Sequence, residues 1–323
     1  MHRRAAFPVR MLATVLTLVV SLAAGLALRT AIAQDATPAP PPETSGDFSG
    51  LVDIGGGRRL WLECRGAGSP TVILEAGAGN NGQNWDAVGL PPSSQQTAVL
   101  PGVAAFTRVC AYDRPGTILD FEHRSRSDPA PMPRDAGDVV ADLHALLTAA
   151  AVPGPYVLAG HSTGGLIVRL YAATHPDRVA GLVQVDALSE QVQDALTHLR
   201  FVAFDRLNNG PVPGLGGYRE LERILFAPSF LQVRRALAAR PAGPLPAVVI
   251  SRGRPQPLPP GLPAGLTTRV LERAWRAAQD ALAASMPGAD RVIARRSSHY
   301  VMFSQPRVVA GAVRRVVAAV RAG

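Results

Sequence analysis

Lysine is absent from this chain. All 33 of its basic residues other than histidine are arginine. A coding bias toward arginine accounts for this more simply than any arginine-specific function. The arginines are scattered, with no dense basic run and no interleaved aromatics, and aromatic residues make up only 5% of the sequence. A nucleic-acid partner is therefore not expected. Cysteine is scarce as well: Cys64 and Cys110 are the two present. There is no C-x-x-C and no H-E-x-x-H, so neither a metal site nor a redox cofactor is expected.

What is present supports a folded domain. The chain has 323 residues, of which 47% are hydrophobic, enough for a sizeable core. Its 31 glycines and 29 prolines are spread through loops rather than massed in a low-complexity tract. The first 33 residues read as an export signal: Arg3, Arg4 and Arg10 precede an uncharged apolar stretch from Met11 to Leu28, and Ala31-Ile32-Ala33 offers an A-x-A cleavage site. The apolar stretch is also just long enough for a retained membrane anchor, which would bring membrane association. Either way the rest of the chain is expected outside the cytoplasm, secreted or extracytoplasmic. Cleavage would remove four arginines and no acid, lowering the net charge from +9 to +5. Residues 34–47, with Pro38, Pro40, Pro41 and Pro42, read as an extended linker to a domain spanning 48–323.

Within that domain, Leu51 to Ile54 and Arg59 to Cys64 read as strands joined by a glycine turn. Thr71 to Leu74, Thr107 to Tyr112, Tyr156 to Ala159, Val179 to Val185, Ala247 to Ile250 and Arg291 to Ala294 read as further strands. Helical spacing covers Asp135 to Ala150, Leu166 to Ala173, Leu266 to Ala284 and Arg307 to Val320. The alternation implies an α/β class with a mostly parallel sheet covered on both faces. Residues 188–244 break it. They contain a turn-rich piece, Asn208 to Gly217, and two amphipathic pieces, Tyr218 to Phe226 and Phe230 to Ala239. This insertion is either a short helical lid over the sheet's carboxyl edge or a packing excursion.

The most informative segment is Gly160-His161-Ser162-Thr163-Gly164, set between a strand and a helix. That context is a nucleophile elbow. The turn is tight enough to strain the central residue and to require tiny residues two positions either side. It lifts the Ser162 hydroxyl above the sheet and aims the Thr163 N–H at the same point. His161 points its side chain away from the bond-making side and is expected to be structural.

Together with Pro70-Thr71-Val72-Ile73-Leu74-Glu75-Ala76-Gly77, Tyr112-Asp113-Arg114-Pro115-Gly116 and Ser298-His299-Tyr300, this elbow resembles the α/β-hydrolase superfamily from about Asp47 onward. It looks most like exported actinobacterial-type members of unassigned substrate. The resemblance implies an α/β-hydrolase fold with an eight-stranded sheet. It also implies acyl transfer, with Ser162 as nucleophile and His299 as general base and acid. The family order Ser…Asp…His points to Asp186, at the end of a strand. In most relatives the acid instead follows the strand that corresponds to Ala247–Ile250, and the sequence there, Ser251-Arg252-Gly253-Arg254-Pro255-Gln256, holds no carboxylate before Glu272. Glu190 is the next candidate.

By the same resemblance the oxyanion donors are the backbone N–H groups of Thr163 and Ala78, with Ala76-Gly77 standing where the family carries His-Gly. Gly77-Ala78-Gly79-Asn80-Asn81-Gly82 also satisfies G-x-G-x-x-G, but no helix opens there and no acid ends the next strand at the right distance, so a dinucleotide is not expected. The implied activity is carboxylesterase-like cleavage of a small-molecule ester. The alternatives are an amidase, peptidase or C–C bond hydrolase on the same triad, or a non-catalytic binding protein on a hydrolase scaffold. In the superfamily's sheet order the strands holding Cys64 and Cys110 lie side by side and antiparallel, which implies a disulfide between them in an exported chain. Two reduced core cysteines are the alternative.

Overall fold

A computed structural model of the chain describes residues 46–89, 96–118, 124–210, 220–240, 243–258 and 261–323. The expected signal or anchor at 1–33, the linker up to residue 45 and most of the turn-rich piece at 208–217 lie outside these described residues. Among the described residues no helix is long and apolar enough to cross a membrane.

The described chain builds β1 (Phe48–Asp53), β2 (Arg59–Arg65), β3 (Thr71–Glu75), α1 (Val99–Ala104), β4 (Val109–Tyr112), α2 (Ala136–Ala149), β5 (Tyr156–His161), α3 (Thr163–Thr174) and β6 (Val179–Val185). Next come α4 (Gln191–Asp194), α5 (His198–Asn209), α6 (Phe226–Ala239), β7 (Ala247–Arg252), α7 (Thr268–Ala284), β8 (Asp290–Ala294), α8 (Val301–Ser304) and α9 (Pro306–Ala322). The eight strands form one sheet in the order β1-β2-β4-β3-β5-β6-β7-β8. The first three are antiparallel neighbours, and every pairing from β4 to β8 is parallel.

Burial explains which strands sit where. β3, β4 and β5 are buried at every position, as strands covered on both faces must be, whereas β1 and β2 alternate. Successive side chains feed two cores. Ile73 and Leu158 pack with α2 and α3, while Val72, Leu74 and Val157 pack with α1 and α9. The helices are amphipathic where they cover the sheet. In α7, Leu271, Ala274, Trp275, Ala278 and Leu282 form the buried stripe. Asp135 and Asp138 close a reciprocal capping box at the start of α2, so residue 135 caps that helix rather than belonging to it.

The insertion departs from its sequence reading. Tyr218–Phe226 is not a helical piece: of its described part, residues 220–225 are non-helical, and Ile224 makes a parallel bridge to Arg134. α6 starts only at Phe226, and α5 has no counterpart in the sequence reading.

Cys64 lies directly opposite Cys110 in the antiparallel β2–β4 pair, with Cα atoms 4.0 Å apart, and the two form a disulfide with S–S 2.05 Å.

Candidate active site

The parallel strands all end at one edge, and each end there carries a residue of interest. This is the edge at which open α/β sheets place their ligand sites. β3 runs into Ala76–Asn80, β5 into Ser162, β6 into Asp186 and β7 ends on Arg252. The segment after β8 carries His299. His161 pairs with Val185, so Ser162 and Asp186 leave adjacent strands side by side, and the Ser162 N–H donates to the Val185 carbonyl at 3.2 Å.

Ser162 has φ +51° and ψ −123°, a strained conformation for a residue with a side chain. The glycines around it make the turn sterically feasible. A Cβ at residue 160 would overlap the Gly164 carbonyl, and one at residue 164 would overlap the Glu75 carbonyl. Thr163 opens α3, so its N–H has no acceptor inside the helix and sits at the positive end of the helix dipole. Asp186 is the second strained residue at this edge, with φ +40°, and its N–H donates to the Ile250 carbonyl at 2.7 Å.

The Asp186 carboxylate is fully buried and accepts four hydrogen bonds. Oδ1 receives the Arg252 backbone N–H at 3.1 Å and the Trp275 indole N–H at 3.0 Å. Oδ2 receives His299 Nδ1 at 2.7 Å and an Arg252 guanidinium N–H at 2.8 Å. Burial pushes this carboxyl up. The hydrogen bond and charge of His299, followed by the Arg252 charge and N–H, outweigh it and hold the group well below the usual carboxylate range. An ionised Asp186 fixes the proton on His299 Nδ1 and leaves the Nε2 lone pair free. Trp275 meets the His299 ring edge-on at 5.4 Å, and Gln256 Oε1 accepts the His299 backbone N–H at 3.1 Å.

Ser162, Thr163 and His299 line one cavity of about 110 Å³. No hydrogen bond joins Ser162 to His299 among the described residues. In free enzymes such bonds are commonly long and tighten on substrate. The cavity walls are mostly apolar: Leu188, Val192, Phe204, Leu207 and Phe226 come from the insertion, and Leu258, Leu271 and Trp275 from the β7–α7 region. The insertion therefore lies over the site. Arg252 and Glu272 form a polar corner, joined at 2.8 Å.

His161 is buried behind the cavity. Burial first, and then the nearby His299, lower it to about 3, so it is neutral. Its Nε2–H donates to the His299 carbonyl at 3.0 Å, while Nδ1 is buried without a partner. The role it takes here is to carry the His299 segment. Glu190 is not beside His299: its carboxylate is paired with Arg169 at 2.6 Å. Among the described residues no group of three or more His, Cys, Asp and Glu side chains could hold a metal ion. After Asn81 the chain makes only a short 3₁₀ turn, Gly82–Trp85.

Sequence reasoning missed Arg252, Gln256 and Trp275 as neighbours of the Asp186–His299 pair. Trp275 had one usable signal, its place on the apolar stripe of α7. Arg252 and Gln256 stood in the very segment searched for a carboxylate, and nothing there marked them as partners of one.

Known proteins support the same architecture. The chain is 32% identical over 210 residues to a pimeloyl-[acyl-carrier protein] methyl ester esterase of Chromobacterium violaceum, covering 63% of this chain and 69% of that protein. It spans only 20% and 19% of the length of two further curated relatives. One is from Hormonema carpetanum, 30% identical over 156 residues, and the other is an uncharacterized protein of Schizosaccharomyces pombe, 40% identical over 110 residues. Among solved structures, a hydrolase from Pseudomonas aeruginosa PA01 superposes with a TM-score of 0.53 at 22% identity, covering 82% of this chain and 96% of that one. A thermophilic esterase from Thermogutta terrifontis gives 0.52 at 20% identity, covering 84% and 99%. At these identities the structural likeness is one of fold. The family model described as the alpha/beta hydrolase family matches residues 72–312, from β3 into α9, and the chain belongs to that family.

Proposed function

We propose that this chain is an exported serine hydrolase that cleaves a small carboxylic ester through an acyl-enzyme on Ser162. The observation that carries the reading is the Asp186 carboxylate 2.7 Å from His299 Nδ1, on the strand end next to a strained, half-buried Ser162. In this mechanism His299 Nε2 takes the Ser162 hydroxyl proton as Oγ attacks the ester carbonyl carbon. The oxyanion forms against the N–H groups of Thr163 and Ala78. The tetrahedral adduct collapses as His299 returns the proton to the departing alkoxide. Water then repeats the sequence on the acyl-enzyme, with His299 again as base and then acid. Asp186 holds the imidazole in the tautomer that can accept, and its negative charge stabilises the imidazolium. The apolar walls and small volume of the cavity favour a short acyl or alkyl group over a charged one.

Export rests on the leader's arginines, apolar stretch and A-x-A site. It implies a mature chain beginning at Gln34, which N-terminal sequencing from the native host tests directly; an uncleaved chain in the membrane fraction would instead favour the anchor. The enzymatic reading is tested with a fluorophosphonate probe and p-nitrophenyl esters. Wild type is expected to label at Ser162 and to turn over short esters. Ser162→Ala is expected to lose labelling and roughly 10⁶ in kcat with an unchanged circular dichroism spectrum. A folded alanine variant with near-native kcat would rule the reading out.

A further inference from the structure

The loop expected to supply the second oxyanion donor is held by a buried ion cluster that has no part in the proton transfers. Arg114 is 2% exposed and engages all five of its guanidinium N–H groups. Nε donates to Glu222 Oε1 at 2.6 Å. Nη1 donates to Glu75 and to the Ala76 carbonyl, the latter at 2.9 Å. Nη2 donates to the Gly77 carbonyl at 2.7 Å and to Glu222 Oε2 at 2.9 Å. Glu222 Oε2 in turn accepts the Gly79 N–H at 2.7 Å. Gathering two carboxylates around one buried guanidinium costs desolvation that often exceeds the Coulomb gain, so stability alone is a weak reason for this cluster.

We propose that Arg114 and Glu222 are positioning residues for transition-state stabilisation, holding the Ala78 N–H toward Ser162. This rests on the serine-hydrolase reading above. The Gly77 carbonyl is fixed by two donors, Arg114 and the Asn80 N–H at 3.1 Å. The Gly77–Ala78 peptide is trans, so the Ala78 N–H points opposite to that carbonyl, away from Arg114. Gly77 itself borders the nucleophile: a Cβ placed on it would come within 3.1 Å of Ser162 Cβ and 2.9 Å of His161 Nδ1. The next peptide is held from the other end by Glu222 through the Gly79 N–H. Ala78 is thus bracketed; the residue is exposed, and its N–H has no acceptor among the described residues.

Glu222 comes from the insertion, 108 residues beyond Arg114. Its segment is seated by Glu222 N–H to the Gly116 carbonyl at 2.8 Å, and by two backbone bonds between residues 223–225 and Arg134, both at 2.9 Å. The insertion therefore does more than roof the cavity. One end of it is part of the frame of the oxyanion site, and that end cannot swing open without releasing the loop.

The test uses the full chain and the variant Glu222→Gln, which keeps the size of the side chain and turns an amide N–H₂ or a lone carbonyl toward Arg114 and Gly79. With the circular dichroism spectrum unchanged, kcat on p-nitrophenyl acetate is expected to fall on the order of ten- to a hundredfold, below the full loss of one donor, while KM stays within about threefold. Affinity for a boronic acid, whose tetrahedral adduct places an oxygen where the oxyanion forms, should fall by the same factor as kcat/KM. Affinity for the acetate product should not change. A folded Glu222→Gln with kcat within about twofold of wild type overturns the proposal. So does a loss of kcat with unchanged boronic acid affinity. If Glu222→Gln does not fold, Glu222→Asp, which keeps the charge and shortens the arm by one methylene, takes its place under the same criteria. Failure of both to fold makes the cluster a requirement of the fold and refutes the proposal. A wild-type chain that neither labels nor turns over esters removes the underlying reading instead, and that result is visible before any variant is made.

Discussion

Asp186→Asn is the substitution whose outcome the geometry constrains most closely. The carboxylate accepts four hydrogen bonds, two at each oxygen. Asparagine offers one accepting oxygen and one N–H₂, so either orientation turns its N–H₂ toward two donors. If the N–H₂ takes the Oδ1 site, it meets the Arg252 backbone N–H and the Trp275 indole N–H. Neither can turn away, because one belongs to β7 and the other to a side chain packed on α7. If it takes the Oδ2 site, it meets the Arg252 guanidinium and His299 Nδ1. The guanidinium still has Glu272 at 2.8 Å, and the imidazole can shift its proton. Each donor left buried and unpaired costs about 1–3 kcal/mol, so the second orientation wins.

The imidazole then carries its proton on Nε2 and has no lone pair for the Ser162 hydroxyl. The expected loss is about 10⁴ in kcat, or roughly 5.5 kcal/mol of transition-state stabilisation. Steady-state kinetics on p-nitrophenyl butyrate measure it, with circular dichroism as the check on folding. Trp275→Phe in the Asp186→Asn background removes one of the two fixed donors, allows the amide to flip back, and should restore at least about tenfold, the equivalent of roughly 1.4 kcal/mol. A folded Asp186→Asn enzyme within tenfold of wild type would refute the assignment of the acid. No recovery in the double variant would refute the orientation argument.

Two further outcomes follow from buried groups. His161 is held down to about 3 in the fold against roughly 6.5 in an unfolded chain, so below pH 6.5 the unfolded state binds the extra proton and stability falls until about pH 3. At 1.36 kcal/mol per unit this is about 2 kcal/mol lost by pH 5. The urea midpoint should therefore drop on acidification in wild type and drop less in His161→Gln; parallel curves would contradict it. Asp186 acts with the same sign, but at lower pH. Its depressed value leaves its contribution intact above the unfolded value near 3.9, so it does not add to this loss until stronger acid. The disulfide closes a separation of 46 residues, and the chain-entropy model gives it up to about 4 kcal/mol. Cys64→Ala/Cys110→Ala should unfold at clearly lower urea, and an unchanged midpoint would mean the bond contributes nothing.

The parts of the fold legible in the sequence are those fixed by local patterns. β3, β5 and β6 were readable because a strand covered on both faces is a largely apolar run. The elbow was readable because only glycine avoids overlap at residues 160 and 164. The Cys64–Cys110 pairing followed from the resemblance once the strands were in order. The insertion was not legible, because its structure depends on what it touches. α5 buries only Phe201, Ala203 and Phe204, and its remaining apolar residues, Leu199 among them at 80% exposure, do not extend these into one buried stripe. In 220–225 the spacing of Leu221, Ile224 and Leu225 suggests a helix, yet tertiary bonds to Gly116 and Arg134 hold the segment out of one. This is local propensity overridden by context.

The candidate site divides in the same way. Ser162, Asp186 and His299 can be found because chain order and strand ends identify them. Their supports cannot, since a buried ion needs a partner but its sequence does not say which. Arg114 sits within a recognisable motif, and a fully buried guanidinium there demands acceptors for five N–H groups. Three of the acceptors lie within forty residues, on Glu75, Ala76 and Gly77. The carboxylate that also holds the Gly79 N–H lies 108 residues away, in a segment whose own pattern suggested something else. A side chain of that kind becomes visible only when the topology closes, and for that reason the partners that hold the loop of residues 76–79 had to come from the structure rather than from the elbow beside it.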